Sequence, residues 1–311
     1  MSPDTGPARR IVSLLPSATE IVCALGLGER LVGVSHSCDH PAEVLAKPRL
    51  SRPRFVPEGL SGADIDAEVR RALREHGSVY EVDVPGVAAL APDLVLTQGI
   101  CDVCAVPAHQ AVAALAGLPS PPAVVTLDAH DVAAILAGIR DVGRATGALG
   151  PADGCVATIE RRIAAARTRV AGRPPPRVLA LEWLDPPYVP GHWVPELVAL
   201  AGGELVAGVA RRPSHQVSWD ELRGADPDVL LLLPCGFGLE QTRREAGRYR
   251  RILRDVAGRA IAAGRGYVLD ASSYFSRSGP RVVDGLEILA ALLHPDLFPD
   301  VTLAERAARW N

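Results

Sequence analysis

Residues 151–172 read PADGCVATIERRIAAARTRVAG and run into RPPPR at 173–177. The helical period is unbroken for about twenty residues, enough for a rod of ~30 Å, and the proline run ends it. What flanks this rod decides the fold. Before it, short β-branched runs alternate with helical patterns: RIVSLL (10–15), LVGVS (31–35), DLVLTQ (93–98) and AVVTLD (123–128) are strands, and PSATEIVCALGLG (16–28) and AVPAHQAVAALAG (105–117) are helices. After it the alternation resumes with RVLALEW (177–183), VPELVALAGG (194–203), DVLLLLP (228–234), helical residues near 239–263, GYVLD (266–270) and SGPRVVDGLEILAALL (278–293). Strands alternating with helices build mainly parallel sheets. The expectation is therefore α/β: two Rossmann-like lobes joined by one long α-helix, with a ligand cleft between the lobes. The N-terminal lobe is expected over 1–150, the linker helix over 151–173 and the C-terminal lobe over 174–311.

Two local expectations accompany this frame. Ser17, three residues before Glu20, has the spacing of a capping box at the start of the first helix. The stretch from about 48 to 84 does not follow the alternation and reads as an insertion in the first lobe, with a helix over about 62–75 capped by Ser61.

Composition narrows the function classes. Of 311 residues, 48% are hydrophobic and 22% charged, and no apolar run approaches the ~20 residues of a membrane span. The net charge of −3 implies no nucleic-acid partner, so the expected partner is a small molecule, with no membrane insertion. The chain reaches its first strand within about ten residues, with no long apolar leader and no lipid-attachment cysteine ahead of it, and is on that ground expected in the cytoplasm. Six cysteines in a reducing compartment make a disulfide framework unexpected. Cys23 and Cys155 lie on apolar helical faces and read as core residues.

The remaining chemistry gathers where strands end. In parallel sheets the loops after the carboxyl ends of the strands face the ligand. Read in order, these loops hold Ser17, then His36, Cys38, Asp39 and His40 in HSCDHP, then Cys101 and Cys104 in GICDVCAVP. The second half adds Trp183, Tyr188, Trp193, His215, Cys235, Tyr274, Phe275 and Arg277. Thiolates at Cys-x-x-Cys spacing can take two corners of a tetrahedron around zinc or iron, with Cys38, Cys235 or the imidazoles of His36 and His40 completing it. Thiol redox chemistry and simple packing are the alternatives. The aromatic set suits stacking on a flat conjugated ligand or filling a lobe interface, and Arg277 suits a carboxylate or phosphate. No Gly-x-Gly-x-x-Gly, phosphate-loop or Gly-x-Ser-x-Gly pattern is present, and no catalytic residue is assigned.

RIVSLLPSATEIVCALGLGERLVGVSHSCDHP, LAPDLVLTQ, DPPYVPGHWVPELVALAGG, ADPDVLLLLPCG and SYFSRSGPRVVDGLEILAALL, in that order, resemble the cobalamin and siderophore type of ABC-transporter substrate-binding protein. The resemblance rests on Pro16 to Glu20, on Asp39 to Pro41 with His40 at an aromatic position, and on Pro280–Arg281. It implies two α/β lobes on one long helix and the binding of cobalamin, a related corrinoid or another metal chelate. The alternative it leaves is an enzyme using cysteine-bound zinc or an iron–sulfur cluster in the same place. Permease docking is doubtful on this reading: Asp220 matches the acidic residue expected on the second lobe, whereas Pro85 stands at the comparable place on the first.

Overall fold

The computed structural model describes residues 7–100 and 105–311. By packing, the chain divides into two compact units: Met1–Glu58, Ala67–Ala129 and Ala133–Thr158 form the first, and Gly59–Asp66, His130–Val132 and Ile159–Asn311 the second.

The first unit is built on a four-stranded parallel sheet of β1 (Ile11–Ser13), β2 (Leu31–Val34), β3 (Leu94–Gln98) and β4 (Ala123–Leu127), in the order β2-β1-β3-β4. β1 and β3 are buried along their whole length, as expected of central strands covered on both faces. Val12, Leu14, Val95, Val106 and Leu115 form the heart of this core. Helix α1 (Pro16–Ala24) follows β1 directly. The capping box expected at Ser17 does not form: Pro16 occupies the first turn, where its fixed φ and missing N–H suit it, and the preceding Leu15 gives no side-chain cap. Ser17 and Glu20 lie inside the helix and are buried.

Helix α2 (Gly62–His76) lies within the expected insertion. Its Ser61 cap does form, because Ser61 Oγ accepts the Asp64 N–H at 3.2 Å while Asp64 Oδ2 accepts the Ser61 hydroxyl at 2.6 Å. The flanking strands Ser51–Pro53 and Tyr80–Val82 pair antiparallel. The sequence expectation kept the whole insertion in the first lobe; in the structure the first turn of α2 packs with the second unit.

Helix α3 (Leu149–Val170) is the long rod read from the sequence, 22 residues without a break. Its residues through Thr158 are counted with the first unit and those from Ile159 with the second.

The second unit carries β5 (Arg177–Leu181), β6 (Glu204–Leu205), β7 (Val229–Leu232), β8 (Gly266–Leu269) and β9 (Ala307–Arg309), in the order β6-β5-β7-β8-β9. All pairings are parallel except β8 with β9. Leu179, Leu181, Leu230, Leu232 and Val268 form the core between sheet and helices. Helix α4 (Val282–Leu293) is nearly all buried, and its carboxylates Asp284 and Glu287 grip Arg162 of α3 at 2.5 and 2.6 Å.

Candidate functional site

Each sheet has one place where its strand order reverses. In the first it lies between β1 and β3, in the second between β5 and β7. Loops at the carboxyl ends of strands flanking such a switch point are where open α/β sheets receive ligands.

In the second unit those loops are 182–193 and 233–238, joined by 270–281 after β8. The first folds into a hairpin of Trp183–Leu184 and Pro187–Val189, which His215–Gln216 extends into a three-stranded antiparallel ribbon. Trp183 stands directly opposite Tyr188, and Tyr188 opposite Gln216, so these three share one face. His215 stands opposite Val189 and falls on the other face. The ribbon thus unites Trp183 with Tyr188 and turns His215 away from them.

Trp183 is half-buried and meets Phe237 edge-on at 5.0 Å between ring centroids. The neighbouring loop is pinned beneath it: Cys235 N donates to Glu182 O at 2.9 Å, Gly236 N to Ser276 Oγ at 3.1 Å and Ser272 N to Phe237 O at 3.0 Å. Arg277 is 7% exposed and reaches Ser272 Oγ at 3.4 Å. Tyr274 is flanked by the guanidinium groups of Arg281 and Arg306, each 5.5 Å from its ring centre. Phe275 is a different case: it is buried against α4, where a side chain on Gly285 would meet its ring, and it packs the core.

Trp193 is also buried, 6% exposed, and its Nε1 finds no hydrogen-bond partner among the described residues. Beside it His192, at φ 50°, faces His130 with their Nδ1 atoms 3.3 Å apart. One of those nitrogens must donate and the other accept, so the contact requires that at most one of the two rings be charged.

In the first unit the loop after β2 is closed rather than presented. Cys38, 1% exposed, holds Sγ 3.1 Å from Thr19 Oγ1 and 3.2 Å from Ser35 Oγ. Arg49 clamps the same loop through the carbonyls of Ser35 and Cys38 at 2.9 and 2.6 Å. His36 Nδ1 is 3.0 Å from Ser51 Oγ and its ring leans on Tyr80; burial, with Arg49 adding to it, holds its pKa below 6.5. Asp39 and His40 are exposed. Ser17 is buried in the first turn of α1.

The expected metal set is Cys38, Cys101, Cys104, Cys235, His36 and His40. Cys101 and Cys104 lie outside the described residues. Among the described residues no three His, Cys, Asp or Glu side chains are grouped so as to hold a metal ion. Cys38 faces inward to two hydroxyls, and Cys235 belongs to the other unit. Cys23 and Cys155, expected in the core, are only half-buried.

Sequence reading missed Glu245, Gly62, Tyr249 and the His130–His192 pair. Tyr249 donates to Asp185 Oδ2 at 3.0 Å, and burial, then Asp185, drive its pKa well up. The only signal was the Ser61–Asp64 cap, which marks where α2 starts but not what it packs on.

Four likenesses bear on this geometry. Residues 11–271 match the family model described as periplasmic binding protein. The vitamin B12-binding protein of Vibrio cholerae is 46% identical over 50 residues, which is 16% of this chain and 18% of that protein, so the match spans under a fifth of that relative. An uncharacterized ABC transporter substrate-binding lipoprotein of Bacillus subtilis, YvrC, is 25% identical over 300 residues, 94% of this chain and 82% of its own. The solved periplasmic heme-binding protein RhuT from Roseiflexus sp. RS-1, in apo form, superposes with TM-score 0.67 at 28% identity, over 93% of this chain and 99% of that one. These findings overturn the cytoplasmic expectation: the relatives are periplasmic proteins or a lipoprotein, which points outside the cytoplasm. That expectation had rested on the first residues alone, and compartment is not encoded in the α/β core that the family shares. Among the described residues no helix is long and apolar enough to cross a membrane.

Proposed function

The chain belongs to the periplasmic binding protein family, and on that premise we propose that it binds a metal-centred tetrapyrrole, a corrinoid such as cobalamin or a heme, as cargo. The observation that carries this reading is the Trp183–Tyr188 pair, set side by side on one face of the ribbon at the carboxyl end of β5. A large conjugated ring is held by aromatic surfaces and oriented by a few polar groups at its rim. Arg277 and the arginines beside Tyr274 supply the cationic groups that a propionate or amide side chain would meet. The names of the Vibrio cholerae and Roseiflexus relatives, one for vitamin B12 and one for heme, support both arms of the class.

The test is a pair of titrations, cyanocobalamin and hemin, followed by tryptophan fluorescence and by the absorbance of the ligand. One of them is expected to bind saturably at one site with a shift in its visible spectrum. Failure of both to bind at concentrations up to about 1 mM, the weak end of specific recognition, would end the proposal.

A further inference from the structure

The first turn of α2 is held by two side chains that come from far along the sequence. Glu245, 5% exposed, accepts the Gly62 N–H on Oε1 at 2.8 Å. Trp183 Nε1 donates to the carbonyl of the same residue at 3.2 Å, sharing its proton with Asp185 O at 3.2 Å. Both backbone groups of one buried glycine are therefore bonded to side chains of the second unit, to which residues 59–66 belong. Arg248 adds charge on the outer side, 3.7 Å from Glu245 and felt by Asp64.

Glycine is needed at 62 for closeness, not for conformation. Its φ is not left-handed, but a Cβ there would stand 2.6 Å from Glu245 Oε1 and 3.5 Å from Trp183 Nε1. Trp183 in turn is fixed from two sides, by Gly62 on its N–H edge and by Phe237 against its ring. An aromatic wall locked before the ligand arrives binds more tightly, because no rotamer freedom remains to be lost.

We propose that Glu245 and Gly62 are positioning residues: through the first turn of α2 they lock the indole of Trp183 in the orientation that the tetrapyrrole meets. The ligand part of this statement rests on the function proposed above; the lock itself does not. Glu245→Ala removes the acceptor and Gly62→Ala forces the contact apart, while Glu245→Gln keeps an oxygen in place.

In ligand-free protein, acrylamide quenching of Trp183, taken as the difference between each variant and its Trp183→Phe partner, is expected to rise at least twofold in Glu245→Ala and in Gly62→Ala. Hydrogen exchange over 59–66 is expected to quicken tenfold or more, and Glu245→Gln is expected to restore both. Unchanged quenching and exchange in both alanine variants would overturn the lock. With the probe that binds the native chain, cyanocobalamin or hemin, the two alanine variants are expected to lose three- to tenfold in affinity and Glu245→Gln less than twofold. A raised quenching with unchanged affinity would overturn the positioning role. If neither probe binds the native chain the proposed function falls, and the lock is decided by quenching and exchange alone.

Discussion

A thiol's reactivity is set by how easily it can become a thiolate, and Cys23, at the end of the first helix, is held back: its pKa is raised to about 11, first by burial and then by the nearby Glu43 carboxylate. The Cys23 shift has a sign that can be read in stability. An unfolded Cys23 titrates near 9.0 and the folded one near 11, so over that window the unfolded chain carries fewer protons and each step up in pH favours it. Cys23 therefore contributes stability that is complete below about pH 9 and lost as the pH passes 11. Urea unfolding at several pH values between these limits, compared with Cys23→Ala, is expected to show a steeper decline in the native chain; parallel curves would refute it. His36 works in the opposite direction, since its depressed pKa favours the neutral ring. Its contribution is complete above 6.5 and is lost as the pH falls further, which an NMR titration of the ring would register as a midpoint below 6.5.

Among the elements, β2 shows how tightly the first sheet is closed. A Cβ on Gly33 would fall 2.3 Å from Leu50 Cδ1 and 3.0 Å from Leu90 Cδ1. Gly33→Ala is expected to cost about 1–3 kcal/mol, the usual range for overpacking, and Leu50→Ala is expected to relieve part of it. Thermal unfolding of the two single variants and the double variant checks this: strict additivity would mean that the two side chains do not meet. Elements of this kind were legible in the sequence wherever burial is continuous. The runs at β1, β3, β5, β7 and β8 are apolar because both faces are covered, and α3 was legible because its period is unbroken for 22 residues. The start of α1 was misplaced because a capping pattern competed with a proline, and the proline prevailed. The docking of α2 was not legible at all. Its partners Trp183 and Glu245 lie 121 and 183 residues away from Gly62, and nothing local encodes a contact of that range. The candidate site was legible as a set of loops, since the polarity of parallel strands puts them at one end. Which side chains share a face was not, because the Asp185–Pro186 turn sets the register that joins Trp183 to Tyr188, while His215 is turned away by a separate pairing with Val189, 26 residues earlier in the chain.

For the molecule as a whole, the question is which end of the second sheet binds. A groove of about 560 Å³ opens at the amino end, lined by Arg173, Pro175, Asp228, Arg259, Arg265 and His294 among others. Its size falls within the range of ligand pockets. Its charges, however, already answer one another: Arg173 pairs with Asp296 at 2.6 Å, Arg259 with Asp226 and Asp228 at 2.7 and 2.8 Å, Arg265 donates to the Leu293 carbonyl at 2.9 Å and His294 Nε2 meets Gly202 O at 3.1 Å. A ligand entering there would have to displace these contacts before making its own. At the carboxyl end the aromatic face is already assembled, Trp183 keeps part of its ring in solvent, and Trp193 Nε1 has a proton with no acceptor among the described residues. On the function proposed above, strand polarity and chemistry favour the carboxyl end over this groove. Trp183→Ala is expected to weaken binding of cyanocobalamin or hemin about tenfold, some 1.4 kcal/mol, the order of an aromatic contact. Arg259→Ala, which breaks the paired network of the groove, is expected to lower thermal stability while leaving that affinity within twofold. Isothermal titration of both variants decides between the two ends, and a loss of affinity in Arg259→Ala with none in Trp183→Ala would move the site to the groove.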